Sequence, residues 1–184
     1  MSMYIEIKEF EPSEIVSLSE VKSHLKIEPD FTEEDVLVQG YIDAAINHIS
    51  GYLSRSVQDE QFEVLGSSFI DVLGFKFQTK KSIEGIWYLD NGEYKKLEED
   101  LYALKNVDKF ETIIEYLGDL PKLTNNSSKA VKLRVTCGFT KLPKSIKQAV
   151  LLLVSDFYEY RADRAKKLSN STVTNLISSY RYYH

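Results

Sequence analysis

A chain of 184 residues that is 43% hydrophobic and 28% charged has the make-up of a globular protein and can bury a core without covalent staples. It contains no uncharged apolar run of the ~18 residues that a membrane span needs, and its single cysteine, Cys137, excludes an internal disulfide. The net charge of −5 is unevenly spread: residues 1–60 hold 13 acidic and 4 basic side chains, a net of −9, whereas residues 140–184 hold 3 and 8, a net of +5. Such a chain can attract a second copy head to tail, although solvated surfaces also drift in sign without purpose. The start, MSMYIEIKEF, has Glu6 and Glu9 where a secretory signal needs a basic start and an apolar run, so a cytoplasmic protein is expected.

The first element begins at Ser17. Ser17 with Glu20 forms a capping-box pattern, flanked by Val16 and Val21 at the staple positions. Leu18, Val21 and Leu25 share one helical face, and Pro29 requires the helix to stop by Glu28. Thr32 with Asp35 repeats the box, and Phe31 with Val36 repeats the staple. A second helix then extends to about Leu53, with a stripe of Val38, Tyr41, Ile42, Ala45, Ile49 and Tyr52 or Leu53. Gly40 within it suggests the close passage of another backbone.

Beyond residue 60 the period changes to that of strands. Phe62 and Val64, then Phe75 and Phe77, alternate with polar residues. In Ile86–Tyr94 the pair Asn91-Gly92 supplies the positive φ angles of a tight hairpin turn. Tyr102–Leu104, Thr112–Tyr116 and Val131–Cys137 complete five or six short strands, and Thr124–Ser128 is a polar loop. A third helix starts at Pro143 and is expected to pass Arg161, with Ile146, Ala149, Val150, Leu153, Phe157 and Tyr160 in a stripe. Leu151, Leu152 and Val154 make its first half apolar nearly all round, as in a central core helix or an oligomer interface. After Ser169–Thr172 comes a short amphipathic segment with Val173, Leu176, Ile177 and Tyr180. The fold class is α+β: an N-terminal helix pair and a long C-terminal helix packed together, a small antiparallel β insertion, and a short terminal helix. The domain reading is a single unit over 1–184, with a helical core at about 17–57 and 142–168, a β insertion at about 60–139 and a terminal docking segment at 172–184.

No residues suggest catalysis, a cofactor or a metal. His24, His48 and His184 lie in separate elements, and with one cysteine a zinc cluster has too few ligands. No phosphate-binding glycine loop or nucleophile motif occurs among the eight glycines. Glu33, Glu34 and Asp35 sit on a first helical turn, where exposed N–H groups stabilise negative charge. Arg161, Arg164, Lys166 and Lys167 suit a helix C-terminus, and could also touch phosphates. Twelve tyrosines include Tyr158, Tyr160, Tyr180, Tyr182 and Tyr183 at the basic end, where they either cover core or make contacts. The charge asymmetry makes Glu33, Glu34 and Asp35 of one copy, with Tyr158, Arg161 and Arg164 of another, the candidate subunit interface.

The order of motifs resembles that of head–tail connector, or head-completion adaptor, proteins of tailed phages and prophages. The stretch Leu18–Val57 is similar to their opening: Leu18, Val21, Lys22, His24 and Leu25 in the first helix, Glu34 and Asp35 at the next helix start, then Ala44, Ala45, Ile49, Tyr52 and Arg55. Leu142–Asp163 and Thr172–Arg181 resemble the family's later helix and its ending, and the middle matches only by pattern. The resemblance implies a non-enzymatic ring of about twelve copies beneath the portal protein. That ring would extend the DNA channel without sequence-specific binding and would seat the next neck or tail-completion protein. It also implies a site in the virion neck after assembly in the host cytoplasm, with no membrane contact. The C-terminal segment would be a docking element rather than core, reaching the portal through Leu176, Tyr180 and Arg181. Two other readings fit the residues: a small cytoplasmic α+β module that recruits one protein partner, and an enzyme assembled from scattered groups such as Glu115, Lys132 and Arg134.

Overall fold

A computed structural model describes residues 4–8, 14–73, 80–106, 112–124, 127–139, 141–160 and 171–182. Its elements in chain order are β1 (Tyr4–Lys8), α1 (Leu18–Leu25), α2 (Asp35–Leu53), β2 (Glu60–Gly66), α3 (Phe69–Leu73), β3 (Lys80–Asp90), β4 (Glu93–Lys96), β5 (Tyr102–Asn106), β6 (Thr112–Tyr116), β7 (Val131–Cys137), α4 (Lys144–Glu159) and α5 (Ser171–Ile177). The class is therefore α+β with antiparallel sheets. The chain divides into two compact units. One comprises residues 1–12 and 59–140, the other 13–58 and 141–184.

In the first unit, five strands form one sheet in the order β1-β2-β7-β3-β4, every neighbour antiparallel, and β5-β6 form a separate hairpin. Alternation along β7 sets the faces. Val131, Leu133, Val135 and Cys137 are buried, while Lys132, Arg134 and Thr136 between them are half-buried. The buried row meets Val64 of β2, Ile86 of β3, Phe69 and Val72 of α3 and Ile114 of β6. Asn91 and Gly92 adopt φ of 49° and 91°, so the β3–β4 turn forms as its residues require. Trp87 lies across Gly85, where an added Cβ would come within 2.9 Å of the indole. The sequence reading assigned no element before Ser17 and none at 69–73. The short alternating run of β1 becomes a strand only because β2 offers it an edge, and a five-residue helix is too short to leave a periodic signal. Phe75 and Phe77 lie outside the described residues.

In the second unit, the Ser17 cap forms as expected: its Oγ accepts from Glu20 N at 3.2 Å, and Val16 and Val21 are buried. The second box does not form. Here α2 starts at Asp35 with Glu34 at the cap position and no side-chain cap bond, and Phe31 and Val36 are 40% and 89% exposed. Nor does a backbone pass close to Gly40, where an added Cβ would meet nothing within 4 Å. The α2 stripe of Val38, Ile42, Ala45, Ile46, Ile49 and Leu53 is buried. On α4, Ile146, Ala149, Val150, Leu151, Leu153 and Val154 are buried too, so its broad apolar surface is covered within the chain. The Tyr41 and Phe157 rings, 6.1 Å apart, mark contact between α2 and α4, and Lys147 Nζ reaches Glu20 of α1 at 2.8 Å.

Candidate functional site

The α1–α2 connection is organised around one lysine. Lys22 lies on the buried face of α1, only 5% exposed. An ammonium group so placed must be met by acceptors. Its Nζ donates to Pro29 O at 3.0 Å, Phe31 O at 2.7 Å and Asp35 Oδ1 at 2.9 Å. All three of its protons are used, and the backbone from 29 to 35 is tied to α1. Glu34 of the same stretch accepts from the Tyr158 hydroxyl at 2.6 Å, which ties it to the far end of α4 as well. Beside Lys22 an open groove of about 600 Å³ is lined by Leu18, Lys26, Ile27, Pro29 and Asp35. Within it Lys22 and Asp35 are engaged with each other, and Lys26 and Glu28 are exposed at its rim.

The candidate interface carboxylates thus separate by environment. Asp35 and Glu34 are half-buried and engaged within the chain, whereas Glu33 is exposed. Tyr158 is half-buried against Glu34, and Arg161 and Arg164 lie outside the described residues. Phe31 and Val36, expected to close a staple, are exposed by 40% and 89%, and Leu37, which the sequence pattern does not single out, by 41%. The available signal was that Val36 and Leu37 fall off the apolar stripe of α2.

At the C-terminus, Val173 and Ile177 of α5 are 4% and 1% exposed, so this segment belongs to the core of its own unit. That corrects the expectation of an element standing off the core: a two-residue apolar face is buried most cheaply against the body that already carries it. Tyr182 N–H donates to Leu53 O at 3.0 Å, and the Arg181 guanidinium lies 4.9 Å above the Tyr52 ring. Leu176 and Tyr180 remain half-buried and Arg181 exposed. The exposed positions of the segment are mostly polar, Thr174, Asn175, Ser178 and Ser179 among them, and the docking candidates Leu176 and Tyr180 are only partly exposed.

On the polar face of the five-stranded sheet, the charges join across strands. Arg134 donates to Glu63 at 2.9 Å and Glu84 at 3.0 Å, and Lys8 lies 3.5 Å from Glu63. Burial pushes the Glu63 carboxyl up, but the Arg134 hydrogen bonds and the charges of Lys132, Lys8 and Arg134 outweigh it and hold it below the usual carboxylate range. Lys132 Nζ sits between Trp87 and Tyr94, 5.2 and 4.5 Å from the ring centres. Glu115 of β6 is 3.1 Å from Lys105, in a different sheet from Lys132 and Arg134, so the paired strands give no common site to those three. Among the described residues no group of His, Cys, Asp and Glu could hold a metal ion, and no helix is long and apolar enough to cross a membrane. His24 and His48 are exposed.

Residues 15–85 match the family of the Phage gp6-like head-tail connector protein. The resemblance drawn from the N-terminal motifs is met there independently. No curated protein matches in sequence. Among solved structures, a chain in the neck of an empty GTA particle computed with C6 symmetry is similar over 98% of this chain and 96% of its own, with a TM-score of 0.74 and 22% identity. A chain of the virion of a native gene transfer agent (GTA) particle shows 98% and 96% coverage, a TM-score of 0.73 and 23% identity. A chain in the neck of a native GTA particle computed with C12 symmetry covers 95% and 97%, with a TM-score of 0.61 and 19% identity. At these identities the shared property is the fold, and it spans both units.

Proposed function

We propose that the protein is a structural head–tail connector of a phage, a prophage or a particle like a gene transfer agent. The observation that carries this reading is the coincidence of two matches: a connector family over residues 15–85, and chains of particle necks over nearly the whole fold. The protein acts as a ring of about twelve copies, a reading supported by the C6 and C12 symmetry with which those necks were computed. The ring sits beneath the portal, continues the DNA channel without reading sequence, and seats the next neck protein. It assembles in the host cytoplasm. The N-terminal helix pair and α4 form the ring-building body.

Portal docking is assigned to Leu176, Tyr180 and Arg181, partly or fully exposed residues of a segment anchored by Val173 and Ile177. Glu33 carries the subunit contact proposed for the acidic turn, with Glu34 and Asp35 shaping it from within and Tyr158 holding Glu34. Arg161 and Arg164, the basic partners expected from the sequence, lie outside the described residues, so the basic side is sought among the described residues of the same unit. Electron microscopy of the purified protein, alone and mixed with its portal, tests the reading. Closed rings, free or stacked on portal, are the expected result; particles without rings in both samples would overturn it.

A further inference from the structure

We propose that Phe31, Val36 and Leu37 are the apolar anchor of a head-to-tail contact between copies, and that they dock against the Lys141–Lys144 end of the next subunit. This inference rests on the ring reading and specifies its interface. Three large apolar side chains stand exposed within seven consecutive residues, Val36 by 89%. Phe31 and Val36 occupy the positions of a hydrophobic staple that would cover both, yet the staple is left open. The stretch is nevertheless rigidly held. Lys22 grips its backbone at Pro29 and Phe31, and Tyr158 grips Glu34. A surface fixed in advance loses little freedom on binding, which is what an anchor requires.

The occupant follows from charge and position. Asp30 and Glu33 beside the apolar residues are exposed, so a basic partner surface is favoured. Within the same unit, Lys141 and Lys144 are exposed at the start of α4, whereas Lys147 is taken by Glu20. Glu34 touches Tyr158, fourteen residues further along that helix. At about 1.5 Å per residue the acidic anchor and the basic end stand roughly 21 Å apart along one rigid helix. Two different, complementary patches at opposite ends of a helix pair either reciprocally across a two-fold axis or in a heterologous contact, which closes into a ring or runs on as a filament; the ring reading selects the heterologous contact.

The test uses two variants of the full chain with one introduced cysteine each, Val36→Cys and Lys144→Cys, one of them tagged for size; native Cys137 is buried. They are mixed over a concentration series up to about 1 mM and treated with a short bis-maleimide linker. The expected product is the mixed dimer, exceeding the Val36→Cys homodimer by about tenfold and falling with added salt. In parallel, Val36→Lys in the otherwise natural chain should leave melting nearly unchanged and weaken association by about tenfold. A dominant Val36→Cys homodimer would show the apolar patch meeting its own copy instead and would overturn the proposed pairing, and no linked product at any concentration would remove the second copy as the occupant. If rings appear by microscopy while Val36 and Lys144 fail to link, this contact is wrong and the ring reading stands; if both fail, the ring reading fails too.

Discussion

The outward faces of the two units handle polarity in opposite ways. On the five-stranded sheet, charges are spent on one another: Glu63, Arg134 and Glu84 bridge three strands, and Lys132 rests between Trp87 and Tyr94. In the helical unit, a fully engaged buried lysine holds a turn whose Phe31, Val36 and Leu37 remain exposed. The first unit exposes apolar side chains at scattered places, Ile5 and Ile7 at the sheet edge by 45% and 72%, Ile70 of α3 by 71% and Leu117 by 59%, whereas three of the second unit's fall within residues 31–37.

The largest effects should come from the cores, and they should be alike in both units. Leu133 and Leu153 are 0% and 2% exposed, and each change to Ala should cost about 2–5 kcal/mol in urea unfolding. The terminal helix sharpens the comparison. Ile177→Ala should cost about 2–4 kcal/mol, whereas half-buried Leu176→Ala should cost less than about 1 kcal/mol and act on portal binding. Equal, small effects at both positions would show that α5 is not anchored as described.

A smaller effect separates the turn from the sheet. Lys22→Met removes the donor from three acceptors and should cost about 1–3 kcal/mol. Its signature is local: proteolysis within residues 29–35 should rise, and association should weaken together with it.

The smallest predicted effect concerns the sheet and depends on pH. The Glu63 carboxyl is held below its ordinary value in the folded protein, so its stabilisation is present above the unfolded value of about 4.3 and is lost as pH falls through the folded one. Glu63→Gln should therefore be less stable than the natural protein at pH 7 by about 1–2 kcal/mol, with the gap closing below about pH 4. A gap that persists at pH 3 would mean that the loss is one of packing.

Where a local rule and the core agreed, the sequence was legible. Ser17 with Val16 and Val21, the α2 stripe, the Asn91-Gly92 turn and the alternation of β7 all occur as read. Strand β1 and helix α3 were not legible, because partners distant in sequence decide both. The second capping pattern failed for a related reason: Lys22 reaches Asp35 and the backbone carbonyls around it, and that network, not Thr32, sets the start of α2. The site was legible in part. Glu33, Glu34 and Asp35 were singled out by charge, but only packing divides them into two inward groups and one outward. The apolar anchor was read as a closed staple, and its exposure appears only in three dimensions.

The central claim is that this chain is built into the neck of a particle, and immuno-electron microscopy of particles from the producing cells tests it most directly. Antibody raised against the purified protein should label one place, the junction between head and tail, on intact particles. Particles that carry no label there, with the protein recovered only in the soluble fraction, would contradict the account.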